Sequence, residues 1–401
     1  MFGRMIAAAL GVLVFSAAHA ADMSPLKIAV LNDQSSVYAD FQGIGSVIAA
    51  QMAVEDYGGK VAGRPVEVLS ADHQMKADVG ASIARRWIDL DNVQLILDLP
   101  NSSVALAVNE IVREKNKVLI GSGAGTSLLT GAKCTPNTIH WTYDTWALAH
   151  GVAKSVVEQG GKKWFFITSD YAFGHDLEKQ ASDVVTASGG KVLGAVRHPL
   201  GASDFASFIL QAQGSGADVI GLATPGGDLS NLVKQANEFG LSKTHRLVGL
   251  IFSINNADSI GLPNSQGVVA LSATYWDLND ATRAWSKRFQ QRHPRKNMPN
   301  DQQMGVYSAV LHYLKAIDKL SGEANDGARV VATMKAMPTD DELFGKGLIR
   351  ADGRKIHPNY VLRTKTASAS KERWDYFDVI ATVPAEQSFR PIKDGNCPLV
   401  N

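Results

Sequence analysis

Beyond an apolar start, the chain alternates continuous apolar runs with stretches of helical periodicity. LKIAVL (26–31) precedes IGSVIAAQMAVEDY (44–57), RPVEVLS (64–70) precedes ADVGASIARRWID (77–89), and VQLILDL (93–99) precedes SVALAVNEIVREKN (103–116), followed by KVLIGSG. Runs without polar alternation suit parallel strands buried on both faces, and the segments between them repeat apolar residues at helical spacing. The pattern then restarts. KKWFFITSD (162–170), KVLGAVRH (191–198), ADVIGLAT (217–224) and RLVGLIF (246–252) alternate with DLEKQASDVVTASG, DFASFILQAQGSG and DLSNLVKQANEFG. Two consecutive sets of βα units predict an α/β protein with two doubly wound lobes.

A helical block follows, made of DATRAWSKRFQQRH (280–293), DQQMGVYSAVLHYLKAIDKLSG (301–322) and GARVVATMKAM (327–337). Lying after the second set, it is expected to return to the first lobe, with several crossovers joining the two. NYVLRTKT and WDYFDVIATVP then alternate in the manner of an antiparallel hairpin across a polar ASASKER turn. The expected division places residues 21–144 and 278–350 in the first lobe, and 145–277 and 351–401 in the second.

Composition narrows the class. Residues 1–20 carry one positive charge at Arg4, a short apolar core and Ala18-His19-Ala20, the pattern of a signal peptide cut after Ala20. The mature chain is therefore expected to be exported to the periplasm, without a lipid anchor, because no cysteine follows the cut. At about 380 residues it exceeds what one hydrophobic core usually holds. The net charge of +1 with mixed signs leaves no footprint for nucleic acid or an anionic membrane. The two cysteines, Cys134 and Cys397, are too far apart for a CxxC motif, and in an oxidising compartment they predict one disulfide.

Enzyme chemistry finds little support. GxSxG and GxxxxGK[ST] are absent, and the ten histidines form no HExxH or HxH pair, so neither a catalytic residue, a metal site nor a cofactor is expected. The polar clusters that remain follow strands. IGSGAGTS has the wrong spacing for a dinucleotide turn and comes after the fourth strand. Ser122, Gly123, Ala124, Gly125 and Thr126 instead read as backbone and hydroxyl donors at a helix N-terminus, with an ordinary glycine-rich helix start as the alternative. Asn101, Ser102 and Ser103 either cap the next helix or donate to a ligand. Tyr38 and Phe41, after the first strand, line a cleft or cover the edge of the core. In the second lobe, Tyr171, Phe173, Thr224, Gly226, Ile254 and Tyr275 occupy the corresponding positions, with Trp276 beside them. Asp228 is expected to be a helix N-cap.

These residues carry a resemblance. GAGTSLLTGAKCTPNTIHWTYDTWALAHG, TSDYAFGHDLEK, GGDLSNLVKQANEFGL, YWDLNDATRAWSKRF and YSAVLHYLKAI, in order over most of residues 26–385, resemble the periplasmic substrate-binding proteins of ABC importers, of the Leu/Ile/Val-binding type. The resemblance implies a type I periplasmic binding protein fold: a two-lobe clamp with three hinge segments that closes on a small molecule, docks on permease subunits of the inner membrane and catalyses nothing. It is expected to act as a monomer. It also implies that the loops at Asn101-Ser102 and Gly123–Gly125 grip a ligand carboxylate, that Tyr171 supplies an aromatic wall, and that an acid after RLVGLIF holds an α-ammonium. This sequence departs twice. Gly125 stands where the family has a threonine, with Thr126 one position later. SINN occupies the place of the acid, Asp258 being the first one along. An aromatic carboxylate of the benzoate or hydroxycinnamate kind is therefore expected over a branched-chain or other α-amino acid; a ligand-sensing input module for a membrane receptor is the other alternative.

Overall fold

The computed structural model describes residues 24–400, so the signal segment read at 1–20 lies outside the described residues. The first lobe is built on β1 (Leu26–Asn32), α1 (Gly43–Asp56), β2 (Lys60–Val61), β3 (Arg64–Asp72), α2 (Ala77–Asp89), β4 (Val93–Asp98), α3 (Ser102–Glu114), β5 (Val118–Gly121) and β6 (Thr138–His140). Its sheet runs β2-β3-β1-β4-β5-β6, parallel except for β2. In register, Ile28 faces Val68 on one side and Leu95 on the other. β4 and β5 are buried throughout because helices cover both sheet faces, which is why their sequences lack alternation.

The second lobe contains α4 (Thr145–Glu158), β7 (Lys163–Ser169), α5 (Ala172–Ala187), β8 (Lys191–His198), α6 (Ala206–Gln213), β9 (Val219–Ala223), α7 (Gly226–Glu238), α8 (Leu241–Thr244) and β10 (Arg246–Gly249). Its four strands run β10-β9-β7-β8, all parallel. The run RLVGLIF is strand only at β10; Leu250 onwards turns into α9 (Ile254–Ile260), whose start is fixed by a capping box between Ser253 and Asn256. After α10 (Leu262–Ser265) comes β11 (Val269–Ser272).

The helical block is α11 (Asp280–Arg292), α12 (Asp301–Lys319) and α13 (Gly327–Lys335). Trp285, Phe289, Met304, Tyr313 and Met334 share one core with Leu26, Ile28, Leu95 and Ile120, so these helices cover the first sheet although they follow the second in sequence. β12 (Leu348–Ile349) and β13 (Lys355–Ile356) form a short ribbon. β14 (Asn359–Thr364) and β15 (Phe377–Val383) pair antiparallel with each other, the hairpin the alternation predicted, and β14 also pairs with β11.

The chain thus passes between lobes at three places: Trp141–Asp144, Ala273–Trp276 and the segment following Arg354. Arg354, fully buried, ties two of them together. Its guanidinium donates to the carbonyls of Thr142 and Tyr143 (the latter at 3.4 Å) and lies 3.5 Å from the Asp144 carboxylate, with the Phe389 ring 4.3 Å away. His357 adds a hydrogen bond of 3.1 Å to the same Thr142 carbonyl. Beside them the Lys355 amine is buried without a hydrogen-bond partner, between the rings of Phe344 at 3.9 Å and Trp141 at 4.9 Å. The chain's end does not stay with the second lobe as the division at 351–401 supposes. Cys397 bonds to Cys134, 263 residues earlier, and Arg390 donates to the Ser127 carbonyl at 3.1 Å, fastening the tail to the first lobe. Among the described residues no helix is long and apolar enough to cross a membrane.

Two predictions concern stability. Closing so long a loop restricts the unfolded chain, with a ceiling on the order of 5 kcal/mol. The Cys134→Ser/Cys397→Ser double variant is expected to lose thermal stability, read by calorimetric scanning, and to keep its ligand binding because neither cysteine borders the cleft. Free-thiol titration of the unreduced, denatured wild type should find none. Burial pulls the Lys355 amine down to about 7. The unfolded chain then binds more protons than the folded one between about pH 7 and the ordinary lysine value near 10.4, so this residue makes stability rise with pH across that window. Lys355→Met is expected to raise Tm by a few degrees at pH 7 and to flatten the rise; a Tm lowered at pH 7 refutes the account.

Candidate functional site

Loops at the carboxyl ends of the two parallel sheets meet face to face, the position where open α/β sheets bind ligands. The lobes touch. The Tyr38 hydroxyl, after β1, is hydrogen-bonded to that of Tyr171, which precedes α5. Gly227 donates to the Val37 carbonyl at 2.9 Å, and Asn255 donates to the Asp40 carbonyl at 2.9 Å. Burial raises both tyrosine hydroxyls above their ordinary pKa, so both are neutral, one donating to the other. Gly226 adopts a positive φ of 64°, and a Cβ there would lie 2.5 Å from the Tyr38 ring, so only glycine lets the lobes close at this point.

Three cavities are found in this interface, one of them an open groove between Val37, Asp40 and Phe41 of the first lobe and Gly226, Gly227 and Asn255 of the second. Of the other two, one is walled by Tyr38 and Phe41 from the first lobe, Tyr171 and Phe173 from the second, and Tyr143 from the crossover, with Gln42, Pro100 and Pro225 completing it. The other lies on the hinge side of Tyr143. Phe252, Ser253, Ile254, Tyr275, Asp301 and Gln302 are among its lining residues. Tyr143 borders both, its hydroxyl donating to the Gly123 carbonyl at 3.0 Å.

IGSGAGTS does not enter an α-helix. It leads into one 3-10 turn, Ser127–Thr130, and its donors are already engaged. The N–H groups of Gly123 and Ala124 go to the Asp98 carbonyl at 3.1 and 3.2 Å, and the Ser122 hydroxyl to the Asp98 carboxylate at 3.3 Å. Burial lifts that carboxyl to about 6, and Ser46, Asn32 and Ser122 oppose the lift. The anion that the end of the loop captures is internal. Thr126 Oγ1 at 2.8 Å, the Ser127 N–H at 2.9 Å and Thr145 Oγ1 at 2.7 Å all donate to one oxygen of Asp176, on α5 in the second lobe. Gly125 has no room for a Cβ against Phe173 and Tyr143, which is the physical reason a threonine is absent there.

The remaining candidates divide. Asn101 caps α3, its side-chain oxygen accepting from Ser103 and Val104 at 2.9 and 3.1 Å, so its alternative as a ligand donor is not what the structure shows. Ser103 contributes its N–H to that cap. Ser102 is fully buried and its hydroxyl has no partner. Thr224 faces inward, bonded to His198 at 2.9 Å and to the Ile167 carbonyl at 3.2 Å, and borders none of these cavities. The Tyr275 hydroxyl and the Trp276 indole both point at the Trp374 carbonyl; the Tyr275 ring lines the hinge-side cavity and Trp276 does not. Asp228 is not an N-cap. Pro225 takes that position, and Asp228, in the first turn, accepts from the Gly201 N–H at 2.9 Å. Asp258 is held by Arg373 and Tyr376, away from the cleft. Sequence reasoning missed Gln42, Tyr143, Asp176, Asp301 and Gln302. Of these, Asp301 opens the α12 pattern, but spacing gives no sign that it reaches the cleft, because α11 separates it from the crossover at Ala273–Trp276.

Comparison with known proteins agrees with this architecture. The family described as periplasmic binding protein matches residues 25–371. A periplasmic binding protein from Burkholderia mallei has 48% identity and a TM-score of 0.91, over 94% of this chain and 99% of that one. A branched chain amino acid ABC transporter periplasmic ligand-binding protein from Burkholderia xenovorans LB400 has 39% identity and a TM-score of 0.81, over 93% and 99%. Leu/Ile/Val-binding protein homolog 6 of Brucella abortus is 28% identical over 216 residues, 53% of this chain and 55% of that protein, so the match spans about half the length of these curated relatives.

Three hydrogen bonds from the first lobe, the Thr126 hydroxyl, the Ser127 N–H and the Ser127 hydroxyl at 3.2 Å, meet on one carboxylate oxygen and make Asp176 a tie between the lobes; bonds to a charged group are worth about 1.5–3 kcal/mol each. Asp176→Asn is expected to loosen the closed arrangement, and Thr126→Val to do so less. Small-angle scattering of the ligand-free protein should show a larger radius of gyration for both; identical curves refute the tie.

Proposed function

The chain belongs to the periplasmic binding protein family, and on that premise we propose that it is the solute receptor of an ABC importer, exported after cleavage near Ala20. It captures a small carboxylate between its lobes and presents it to permease subunits. The reading is of a receptor and not of an enzyme, as its relatives are binding proteins by description. The ligand favoured is an aromatic acid.

The observation that carries this reading is the cavity walled by Tyr38, Phe41, Tyr143, Tyr171 and Phe173. These rings come from both lobes and the crossover between them. Flat walls with hydroxyls at their edges suit an aromatic ring, which gains both apolar burial and edge-to-face contact. For the acid end, the unpartnered Ser102 hydroxyl and the buried Gln42 amide are the polar groups left near Pro100, because Gly123, Ala124 and Thr126 are engaged within the protein. The proposed ligand-facing set is therefore narrower than the sequence reading: Ser102, Tyr171, Phe173, Ile254 and Tyr275 stay in it, while Asn101, Ser103, Ser122, Gly123, Ala124, Gly125 and Thr126 shape the wall, and Gly226 permits closure. A branched-chain or other α-amino acid is the second reading, favoured by the Burkholderia xenovorans relative.

Titration calorimetry with benzoate, 4-coumarate and L-leucine discriminates the two. Micromolar or tighter binding of an aromatic acid is expected, and Tyr171→Ala should weaken it about 10- to 100-fold, the worth of a buried ring face. Tight leucine binding with no response to either aromatic acid reverses the choice.

A further inference from the structure

The hinge-side cavity contains a buried acid where the sequence supplied none. Asp301 is the first residue of α12, is 6% exposed and lines the cavity; one carboxylate oxygen accepts the Ala273 N–H at 3.0 Å, and the backbone N–H groups of Asp301 and Gln302 also bond to the carboxylate, which therefore lacks a counter-charge and not donors. Among the described residues no cation pairs with it. The next residue, Gln302, is 2% exposed, lines the same cavity, and its side-chain oxygen has no partner. Around them the polar groups are already spoken for: Asn300 donates to the Phe41 carbonyl and to Asn255 at 2.9 Å, and Ser272 donates to the Thr274 carbonyl at 2.6 Å. The surplus at this end of the cleft is therefore in acceptors. A buried acceptor without a donor costs about 1–3 kcal/mol, more when charged, and that cost disappears when a ligand brings the donor.

Resting on the reading of the cleft as a ligand site, we propose that Asp301 and Gln302 are its specificity-determining end, and that they take a hydrogen-bond donor carried by the ligand. The donor is a phenolic hydroxyl or an ammonium. Phe252, Ile254 and Tyr275 border the pair, so an analogue without the donor leaves the Gln302 oxygen unpaired and the Asp301 carboxylate without a counter-charge. Discrimination then comes from rejecting the wrong ligand as much as from holding the right one, a difference that polar sites make large. The acid reaches the cleft from α12 of the first lobe, not from the loop after β10. SINN therefore does not by itself exclude an ammonium.

The test uses probes in pairs that differ by the donor: benzoate with 4-hydroxybenzoate, 3-phenylpropionate with L-phenylalanine, 4-methylpentanoate with L-leucine. Phenol and phenethylamine, which lack a carboxylate, complete the set. Affinities are measured by calorimetry, and thermal shifts where heats are small, on wild type, Asp301→Asn and Gln302→Met. The full chain is used, and unliganded Tm reports folding. The amide oxygen introduced by Asp301→Asn can still accept the Ala273 N–H; Gln302→Met leaves Asp301 untouched and guards against a variant that fails to fold. At least one donor-bearing probe is expected to bind wild type ten or more times tighter than its partner, and both variants should lose most of that ratio. Loss in the hydroxybenzoate pair identifies a phenol, and loss in the amino-acid pairs an ammonium. A donor-bearing probe without carboxylate that binds and depends on Asp301 upholds the inference, while refuting the carboxylate reading of the cleft. Equal response of wild type and both variants to every probe, including no response, overturns it.

Discussion

The fully buried Arg354 guanidinium is the interaction on which the arrangement of the lobes rests. Burial holds its pKa down to about 10, still far enough above neutrality to keep the charge. A charge in such a place survives only if its surroundings supply acceptors, and here they are the carbonyls of Thr142 and Tyr143 and the carboxylate of Asp144. Those are the residues by which the chain leaves the first sheet for the second. Asp144 also caps α4, accepting the Ala147 N–H at 2.8 Å. One side chain from the third crossover thus fixes the path of the first and the start of the helix beyond it. Removing one partner of such a buried pair typically costs about 3–5 kcal/mol, because the remaining charge is stranded. The guanidinium is accordingly a permanent part of the segments joining the lobes, about which the proposed clamp would rotate.

What lies across the cleft is of a different kind. The contacts between the lobes include hydroxyl to hydroxyl at Tyr38 and Tyr171, N–H to carbonyl at Gly227 and Val37, amide to carbonyl at Asn255 and Asp40, amide to amide at Asn300 and Asn255, and hydroxyls and one N–H to a carboxylate at Asp176. None of these is a guanidinium–carboxylate pair. Each of these groups can exchange its partner for water when the lobes part, so opening forfeits little desolvation energy. The clamp proposed above would need this asymmetry, with a hinge that cannot be undone and a cleft whose contacts are individually replaceable.

Much of this fold was legible because it follows from periodicity. Continuous apolar runs marked β1, β4, β7 and β9, and helical spacing marked α2 at its observed limits. The single pair of cysteines left one pairing to expect, which is the one formed. The site was less legible, for an identifiable reason. Polar residues in IGSGAGTS read as ligand donors only while their partners are unknown, and those partners, Asp98 and Asp176, lie 24 and 49 residues from Ser122 and Ser127. Asn101 and Asp228 were ambiguous between cap and contact for the same reason. Thr224 was misplaced because the residue after a strand can face its own lobe, as its bond to His198 shows. Asp301 could not be located at all from spacing, since it reaches the cleft only through the return of α12 to the first lobe.

Tyr143 links the hinge to the cleft. It sits in the crossover that Arg354 fixes, its hydroxyl holds the Gly123 carbonyl of the glycine-rich loop, and its ring divides the aromatic chamber from the one containing Asp301. A wall whose backbone is pinned at the hinge cannot drift when a ligand arrives, so the partition between the two chambers is set by the hinge and not by the ligand. The glycine-rich loop fits the same scheme. It carries glycine at Gly125 because the Phe173 and Tyr143 rings occupy the space a side chain would need, and it hands the Thr126 and Ser127 hydroxyls and one N–H to Asp176. What a first reading takes for a cradle around an anionic ligand is the part of the first lobe shaped to receive the second.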